Sequence, residues 1–137
     1  MAARAMLALL LVAACKTPVD CSGAPAVNLL GTWRYTATQS SPTTASLTGA
    51  LAITSECGST LGGTLDVTET SAQGSRRRMG TMSGRAVDSA TVDFDVFLSA
   101  VGRRHLGTIA GDSLRGTWVE PGDAGTASGS FVAVRAP

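Results

Sequence analysis

The feature that most constrains the fold is a short motif that occurs near both ends of the chain. Leu-x-Gly-Thr-Trp spans residues 29–33 and again residues 114–118. Weaker copies, which keep a glycine two residues from a large apolar residue, span residues 47–51, 61–65, 78–82, 105–109 and 127–131. Residues two apart face the same side of a strand. The motif therefore predicts a set of strands that each turn a glycine and a bulky side chain inward.

Apolar residues alternate with polar ones in eight segments of the chain, which is the period of a half-buried strand. The predicted strands span residues 29–38, 45–54, 60–70, 76–87, 90–99, 102–110, 113–120 and 125–135. Turn residues separate them, such as Gly111-Asp112 between the sixth and seventh strands. Short connections of this kind indicate that consecutive strands are antiparallel neighbours.

The number and spacing of these strands predict a closed sheet. Closing eight strands into an up-and-down barrel removes both exposed edges, and inward glycines allow the sharp bends that closure needs. We therefore predict an all-β fold in which residues 28–136 form an eight-stranded antiparallel up-and-down β-barrel. A β-sandwich of the same strands is one alternative. A membrane-spanning barrel is another, although it would need an apolar outer band with aromatic girdles, and aromatic residues are few here.

Residues 1–14 have the pattern of a cleaved secretory signal. Arg4 supplies a positive charge, and a continuous apolar run extends from Ala5 to Ala14. The run is shorter than the roughly 20 residues that a membrane-spanning helix requires. A buried first helix is the alternative.

The apolar run ends in Val-Ala-Ala-Cys at residues 12–15, which resembles the lipobox of bacterial lipoproteins. The resemblance implies cleavage after residue 14 and lipidation of Cys15, with the membrane as a partner through that lipid. Ordinary cleavage that leaves a free thiol is the alternative. Lys16 follows the cysteine, which by the same resemblance implies a cell-envelope protein at the periplasmic face of the outer membrane or at the cell surface. Residues 15–27 are predicted to form a tether.

Gly-Thr-Trp at residues 31–33, on the first predicted strand, resembles the calycins. In that group the lipocalins carry Gly-x-Trp on strand one and the avidins also open on Gly-Thr-Trp. The resemblance extends to small bacterial lipoproteins with barrels of this type. It implies a barrel that binds a small apolar ligand in its interior. The chain departs from the avidin pattern because it has only two tryptophans, Trp33 and Trp118, where avidins line the biotin pocket with several.

Charge and motif content exclude several classes of function. The formal net charge is +1, whereas a nucleic-acid-binding domain usually has a strong positive excess. The chain contains a single histidine, no Gly-x-Ser-x-Gly elbow and no phosphate-binding loop. No Cys/His spacing typical of a metal site is present. We therefore expect a monomer that is not an enzyme and has no metal, no cofactor and no nucleic-acid partner.

Two cysteines outside the lipobox are predicted to meet. Cys21 precedes the first strand and Cys57 follows the second, so an up-and-down barrel places both at the same end. An exported protein folds in an oxidising compartment. A disulfide between them would close a loop of about 35 residues and stabilise the fold by roughly 3–4 kcal/mol. Two free thiols are the alternative.

Basic residues are concentrated where the fourth and sixth strands begin, at the end opposite the tether. They are Arg76, Arg77, Arg78, Arg103, Arg104 and His105. This placement predicts a cationic mouth over an apolar interior, which would admit an amphiphile with an acidic head or dock an anionic partner. The alternative is a set of solvated strand ends that Glu69, Glu120 and Asp123 neutralise.

Six residues are candidates for ligand binding: Trp33, Tyr35, Arg78, Phe94, His105 and Trp118. The four aromatic residues are predicted to point inward, where they either floor a pocket or fill the core. The function expected is therefore an exported, lipid-anchored barrel that binds or carries a small apolar or anionic amphiphilic ligand. The alternative is a structural or protein-interaction lipoprotein of the envelope with a filled barrel. An interior cavity of a few hundred cubic ångströms would distinguish the two.

Overall fold

The computed structural model describes residues 21, 23, 25–123 and 125–137. The predicted signal segment, the lipidation site at Cys15 and most of the predicted tether lie outside the described residues. Within the part that is described, no helix has the length and apolarity that a membrane crossing requires.

All eight predicted strands are present, with small differences at their ends. They are β1 (Gly31–Ser41), β2 (Ala45–Cys57), β3 (Thr60–Ser71), β4 (Gly74–Ala86), β5 (Thr91–Phe97), β6 (Arg103–Ala110), β7 (Ser113–Glu120) and β8 (Ala127–Arg135). The largest differences lie in β1, which begins two residues later and ends three residues later than predicted, and in β2, which is three residues longer. Both extensions continue the sheet, because Ser41 pairs with Ser128 on β8 and the end of β2 pairs with the start of β3.

The strands form a closed barrel in which every strand pairs with its sequence neighbours and β8 pairs with β1. The closing pair is antiparallel, with Trp33 opposite Arg135 and Ala37 opposite Phe131. This confirms the predicted eight-stranded up-and-down barrel and rules out the sandwich. One end of the barrel carries the connections after β2, β4 and β6, together with the start of β1 and the end of β8. We call it the closed end. The connections after β1, β3, β5 and β7 surround the other end, which we call the mouth.

The core lies inside the barrel, as the period-two pattern predicts. Its largest fully buried side chains are those of Trp33, Trp118, Tyr35, Phe94 and Phe131. The rings pack against one another at the centre: Phe94 is stacked on His105 at a centroid distance of 4.6 Å, and Phe131 meets the same imidazole edge-on at 4.9 Å. Aromatic pairs at these distances favour stacked and edge-to-face packing. The barrel is therefore filled by side chains through its middle.

Glycines allow neighbouring strands to approach each other inside the wall. A Cβ atom added to Gly116 would overlap the carbonyl oxygen of Leu106 on β6, and one added to Gly129 would overlap that of Thr38 on β1. Only a residue without a side chain fits where a backbone comes this close. The Gly-Thr-apolar motif thus combines a point of close approach with a bulky side chain that fills the interior.

The segment before β1 seals the closed end. Leu29 is fully buried, its carbonyl accepts a hydrogen bond from the indole Nε1 of Trp33 at 3.0 Å, and its amide donates one to Glu56 Oε2 at 3.1 Å. The guanidinium of Arg135 lies 4.4 Å from the centroid of the Trp33 ring and donates hydrogen bonds to the carbonyls of Leu30 and Asn28. These contacts join the chain before β1 to the last strand.

Two further links hold the chain ends at this end of the barrel. Cys21 and Cys57 form the predicted disulfide, with 4.7 Å between their Cα atoms and a sequence separation of 36 residues. The amide of Ala136 donates a hydrogen bond to the carbonyl of Thr32 at 2.9 Å. Because both links lie at the closed end, the mouth remains open.

Candidate ligand-binding site

A pocket of about 470 Å³ opens at the mouth of the barrel. Its walls are formed by inward-facing residues at the ends of the strands and by the turn between β3 and β4. The inward-facing residues are Gln39, Ala45, Glu69, Arg78, Arg103, Glu120 and Ala127. Ala45 and Ala127 leave room at the start of β2 and β8 because their side chains are short. The pocket therefore occupies the part of the interior that the aromatic core does not reach.

One side of the pocket is an ion-pair cluster on β3 and β4. Arg78 Nη1 lies 2.8 Å from Glu69 Oε2, and Arg76 Nη2 lies 2.9 Å from Glu69 Oε1. Arg78 also donates to the carbonyl of Leu98 at 3.1 Å. Burial acts to raise the pKa of the Glu69 carboxyl, but the hydrogen bonds from Arg78 and Arg76 outweigh it and hold that pKa below its usual value. Glu69 is consequently an anion at neutral pH.

The other side of the pocket is a second pair, on β6 and β7. Arg103 donates from Nε to Glu120 Oε2 at 2.9 Å, and its Nη2 lies 2.7 Å from the same oxygen. Ser99 donates to the remaining oxygen of Glu120 at 3.2 Å. The Arg103 side chain is only 3% exposed, and its guanidinium carbon lies 3.9 Å from the centroid of the Trp118 ring. Arg103 thus forms the boundary between the pocket and the aromatic core.

The six basic residues predicted to form the mouth are divided by the structure into three groups. Arg76, Arg78 and Arg103 line the pocket, where Glu69 and Glu120 balance two of their three charges. Arg77 and Arg104 face the outer wall and pair with Asp66 and Asp93 at 2.6 Å and 2.9 Å. The pocket lining therefore carries a small positive excess rather than an unopposed cationic ring, and Asp123 lies outside it in the turn after β7.

His105 requires a correction, because the structure removes it from the predicted cationic mouth. It is fully buried one layer below Arg103 on the same face of β6. Its Nδ1 lies 3.0 Å from the carbonyl of Arg103 and its Nε2 lies 2.8 Å from the Tyr35 hydroxyl. A carbonyl only accepts, so Nδ1 carries the proton and the Tyr35 hydroxyl donates to Nε2. Burial lowers the pKa of His105 to about 3, with the nearby charge of Arg103 also acting to lower it, and the imidazole is neutral.

Only one of the six predicted ligand-binding residues, Arg78, lines the pocket. Trp33, Tyr35, Phe94 and Trp118 point inward as predicted and are fully buried in the core with His105. Burial also raises the pKa of Tyr35 above its usual value, so its hydroxyl stays protonated. The pocket residues that the sequence did not single out include Gln39, Ala45 and Ala127. Ala45 and Ala127 are small residues at inward positions near strand ends, and such positions indicate a pocket only once the facing strands are known.

The chemistry available in the pocket is hydrogen bonding and charge recognition. In the described part of the chain, no group of three or more His, Cys, Asp and Glu residues is arranged to hold a metal ion. The guanidinium groups offer donors, the glutamates offer acceptors, and Gln39 offers both. Such a lining suits a ligand that has a polar head.

No protein-family model matches the chain, and no curated protein matches it. Solved structures with a similar fold include EF1p2_mFAP2b bound to DFHBI, with 16% sequence identity, a TM-score of 0.65 and coverage of 79% of this chain and 94% of that chain. A redesigned β-barrel, mFAP1, bound to DFHBI is 18% identical with a TM-score of 0.59, and the comparison covers 78% of this chain and 94% of that one.

A fluorescence-activating β-barrel obtained by de novo design is a third similar structure. It is 18% identical, has a TM-score of 0.52, and is matched over 88% of this chain and 100% of that chain. At these identities the likeness shows the fold alone. The chain is accordingly similar to small closed β-barrels over nearly its whole described length.

Proposed function

We propose that this protein is an exported, lipid-anchored binding or carrier module that holds one small ligand in the mouth pocket. It acts as a monomer and without enzymatic activity. The observation that carries the proposal is the pocket itself, because its volume of about 470 Å³ lies in the range of sites for small molecules. A barrel with a purely structural role would not need to keep such a space unfilled at its mouth.

The proposed ligand is amphiphilic rather than wholly apolar. The interior below Arg103 is occupied by buried rings, including Trp118 and Phe94, so an apolar molecule has no room along the barrel axis. A polar head fits the charged lining of the mouth. The apolar part would lie against Ala45 and Ala127, or outside the rim.

Two further observations support a ligand-binding role of calycin type. Gly-Thr-Trp at residues 31–33 leads into a barrel whose interior receives Trp33. Two of the similar structures, EF1p2_mFAP2b and mFAP1, are bound to the small molecule DFHBI, so barrels of this shape can hold a small molecule.

The proposed anchor is a lipid on Cys15, at the periplasmic face of the outer membrane or at the cell surface. The proposal rests on the Val-Ala-Ala-Cys sequence at residues 12–15. Cys21, six residues further on, is bonded to Cys57 at the closed end. An anchor on Cys15 would therefore approach the barrel from the end opposite the pocket, which leaves the mouth free. Metabolic labelling with palmitate tests the anchor: we expect label in the protein and none in the Cys15→Ala variant.

Native mass spectrometry of the full chain, purified from its own host in mild detergent, tests the binding function. We expect a co-purified molecule of a few hundred daltons that dissociates on collisional activation. A control variant, Ala45→Trp together with Ala127→Leu, fills the mouth and should carry none. A wild-type protein that is free of any small molecule and binds none of a panel of amphiphiles would contradict the proposal.

The second candidate function is an envelope interaction protein. It is favoured by the filled middle of the barrel and by apolar side chains exposed on the outer wall, namely Phe97, Leu106 and Val119, each between 42% and 45% exposed. Crosslinking in intact cells separates the two functions. A specific protein partner that is lost in Phe97→Ser but retained in the mouth-filled variant would favour this second function.

A further inference from the structure

Two buried hydrogen-bond donors below the pocket have no acceptor in the described part of the chain. Arg103 Nη1 and Trp118 Nε1 are both buried, and neither has a hydrogen-bond partner among the described residues. Both atoms belong to one stacked pair, since the Arg103 guanidinium carbon lies 3.9 Å from the centroid of the Trp118 ring. An unmet buried donor carries a free-energy penalty, and for a charged group the penalty is larger. The stacked pair therefore has two donors that no described residue of the protein accepts.

Among the described residues, the carboxylates near this pair are already engaged. Glu120 already receives Nε and Nη2 of Arg103 on one oxygen and the Ser99 hydroxyl on the other. On the far side of the pocket both oxygens of Glu69 are taken by Arg76 and Arg78. The pocket lining thus has three guanidinium groups and two carboxylates, which leaves one positive charge of excess within the lining.

We propose that the ligand of the mouth pocket is an amphiphilic oxyanion, such as a carboxylate, whose oxygen is held by Arg103 and Trp118. This inference rests on the proposed ligand-binding function and names the chemistry of its ligand. The oxyanion approaches Arg103 from the pocket that this side chain lines, while Nε and Nη2 stay bonded to Glu120. Its charge offsets the excess positive charge of the pocket lining, and its oxygen accepts from Arg103 Nη1 and Trp118 Nε1.

Arg103 is then the residue that determines specificity. A charge-assisted hydrogen bond from a guanidinium in a partly dry site distinguishes an anion from a neutral head strongly. Arg78 contributes charge from the other side of the pocket, but its side chain already donates to Glu69 and to Leu98. We therefore assign the discrimination to Arg103 and a weaker, screened attraction to Arg78.

The two indole N–H groups give a direct test, because each reports on a different end of the barrel. The probes are octanoate, octan-1-ol and octylamine, which share a chain length and differ in the head group. In a ¹H–¹⁵N spectrum of the full chain we expect octanoate to move the Trp118 indole signal downfield. The Trp33 indole is already bonded to the carbonyl of Leu29 at 3.0 Å at the closed end, so its signal should stay in place and serves as the internal control.

Matched variants assign the effect to Arg103. Arg103→Gln should weaken octanoate binding by about tenfold or more, as expected for a lost charged hydrogen bond, and should leave octan-1-ol unchanged. Arg104→Gln makes the same change one residue along, on the outer wall, and should bind octanoate like the wild type. If Arg103→Gln does not fold, the head-group comparison and the two indole signals in the wild-type protein decide the question alone.

The outcomes separate this inference from the function it rests on. Equal affinity for octanoate and octan-1-ol, or octanoate binding without movement of the Trp118 signal, would overturn the oxyanion assignment and leave a ligand-binding mouth. Failure of octanoate to bind at all would overturn it as well. The broader function is judged separately, by whether the protein from its own host carries a small molecule.

Discussion

The hydroxyl of Tyr35 donates a hydrogen bond to Nε2 of His105 across 2.8 Å in the centre of the barrel, 70 residues apart in sequence. The other nitrogen of the imidazole is held by the carbonyl of Arg103. The only histidine of the chain is therefore a fully paired, neutral core residue that links β1 to β6.

Replacing Tyr35 by phenylalanine should destabilise the barrel. The change keeps the ring but leaves His105 Nε2 as a buried acceptor without a donor, which costs about 1–3 kcal/mol. Urea unfolding followed by tryptophan fluorescence measures it. A double-mutant cycle with His105→Leu isolates the pair, and the two single effects should fail to add. Simple additivity in that cycle would show that the hydrogen bond contributes nothing.

The stability of the barrel should fall as the pH is lowered, because His105 is buried in its neutral form. Unfolded chains protonate histidine near pH 6.5, whereas in the fold the pKa of His105 is about 3. Acid therefore protonates the unfolded state first, and the contribution is full above pH 7 and declines as the pH falls toward 3. The expected loss from this group is about 3 kcal/mol at pH 4.

The His105→Gln variant is the control for that measurement, because it retains all the carboxylates. Its free energy of unfolding should depend less on pH between 7 and 4 than that of the wild type. Identical slopes for the two proteins would mean that His105 binds a proton as readily in the folded barrel as in the unfolded chain.

Removing the disulfide should weaken the closed end without opening the barrel. Cys21→Ser with Cys57→Ser releases a loop with a sequence separation of 36 residues, and the expected loss is roughly 3–4 kcal/mol in the chain-entropy account. Thermal unfolding measures it, and the wild type in reducing agent should lose the same amount. An unchanged melting temperature in both cases would show that the contacts of Leu29 and Arg135 hold this end by themselves.

Adding a methyl group at Gly116, in the second full copy of the repeated motif, should destabilise the barrel. Its Cβ would overlap the carbonyl oxygen of Leu106, so Gly116→Ala should destabilise by about 1–3 kcal/mol as a strained, overpacked substitution. Gly23→Ala is the control, because none of the described residues comes within 4 Å of a Cβ there. Equal unfolding midpoints for the two variants would contradict the close approach of β6 and β7.

The strands and their inward faces could be predicted from the sequence because alternation is a local property of a strand. Trp33 and Phe94, for example, are buried where the period-two pattern places them. The depth of each residue along the barrel axis was not predictable in the same way. Arg103 and His105 share a face, yet one borders the pocket and the other is sealed in the core. That difference depends on the stagger between strands and on how far neighbouring rings reach, which a single strand does not encode.

The pocket itself illustrates the same limit. Arg78 was a candidate because it is a basic residue at an inward position, and it does line the mouth. Ala45 and Ala127 matter there because they are small, and small residues give no signal of their own until the facing strands are known. The neutralising carboxylates, Glu69 and Glu120, were expected in this region, but their bonding to particular arginines follows from the register of the closed sheet.

The hydrogen bond from the Ala136 amide to the Thr32 carbonyl places the two ends of the barrel domain side by side. Because each strand also pairs with two neighbours, the chain could start at another strand without a change in the sheet. Adjacent ends allow a domain to be rejoined and cut elsewhere. A short linker from Ala136 to Val27, with a new opening between Asp88 and Ser89, would yield a circular permutant whose neighbour order is unaltered. The new chain ends would lie at a different position around the closed end. A tether joined there would hold the pocket at a different angle to the surface that carries it.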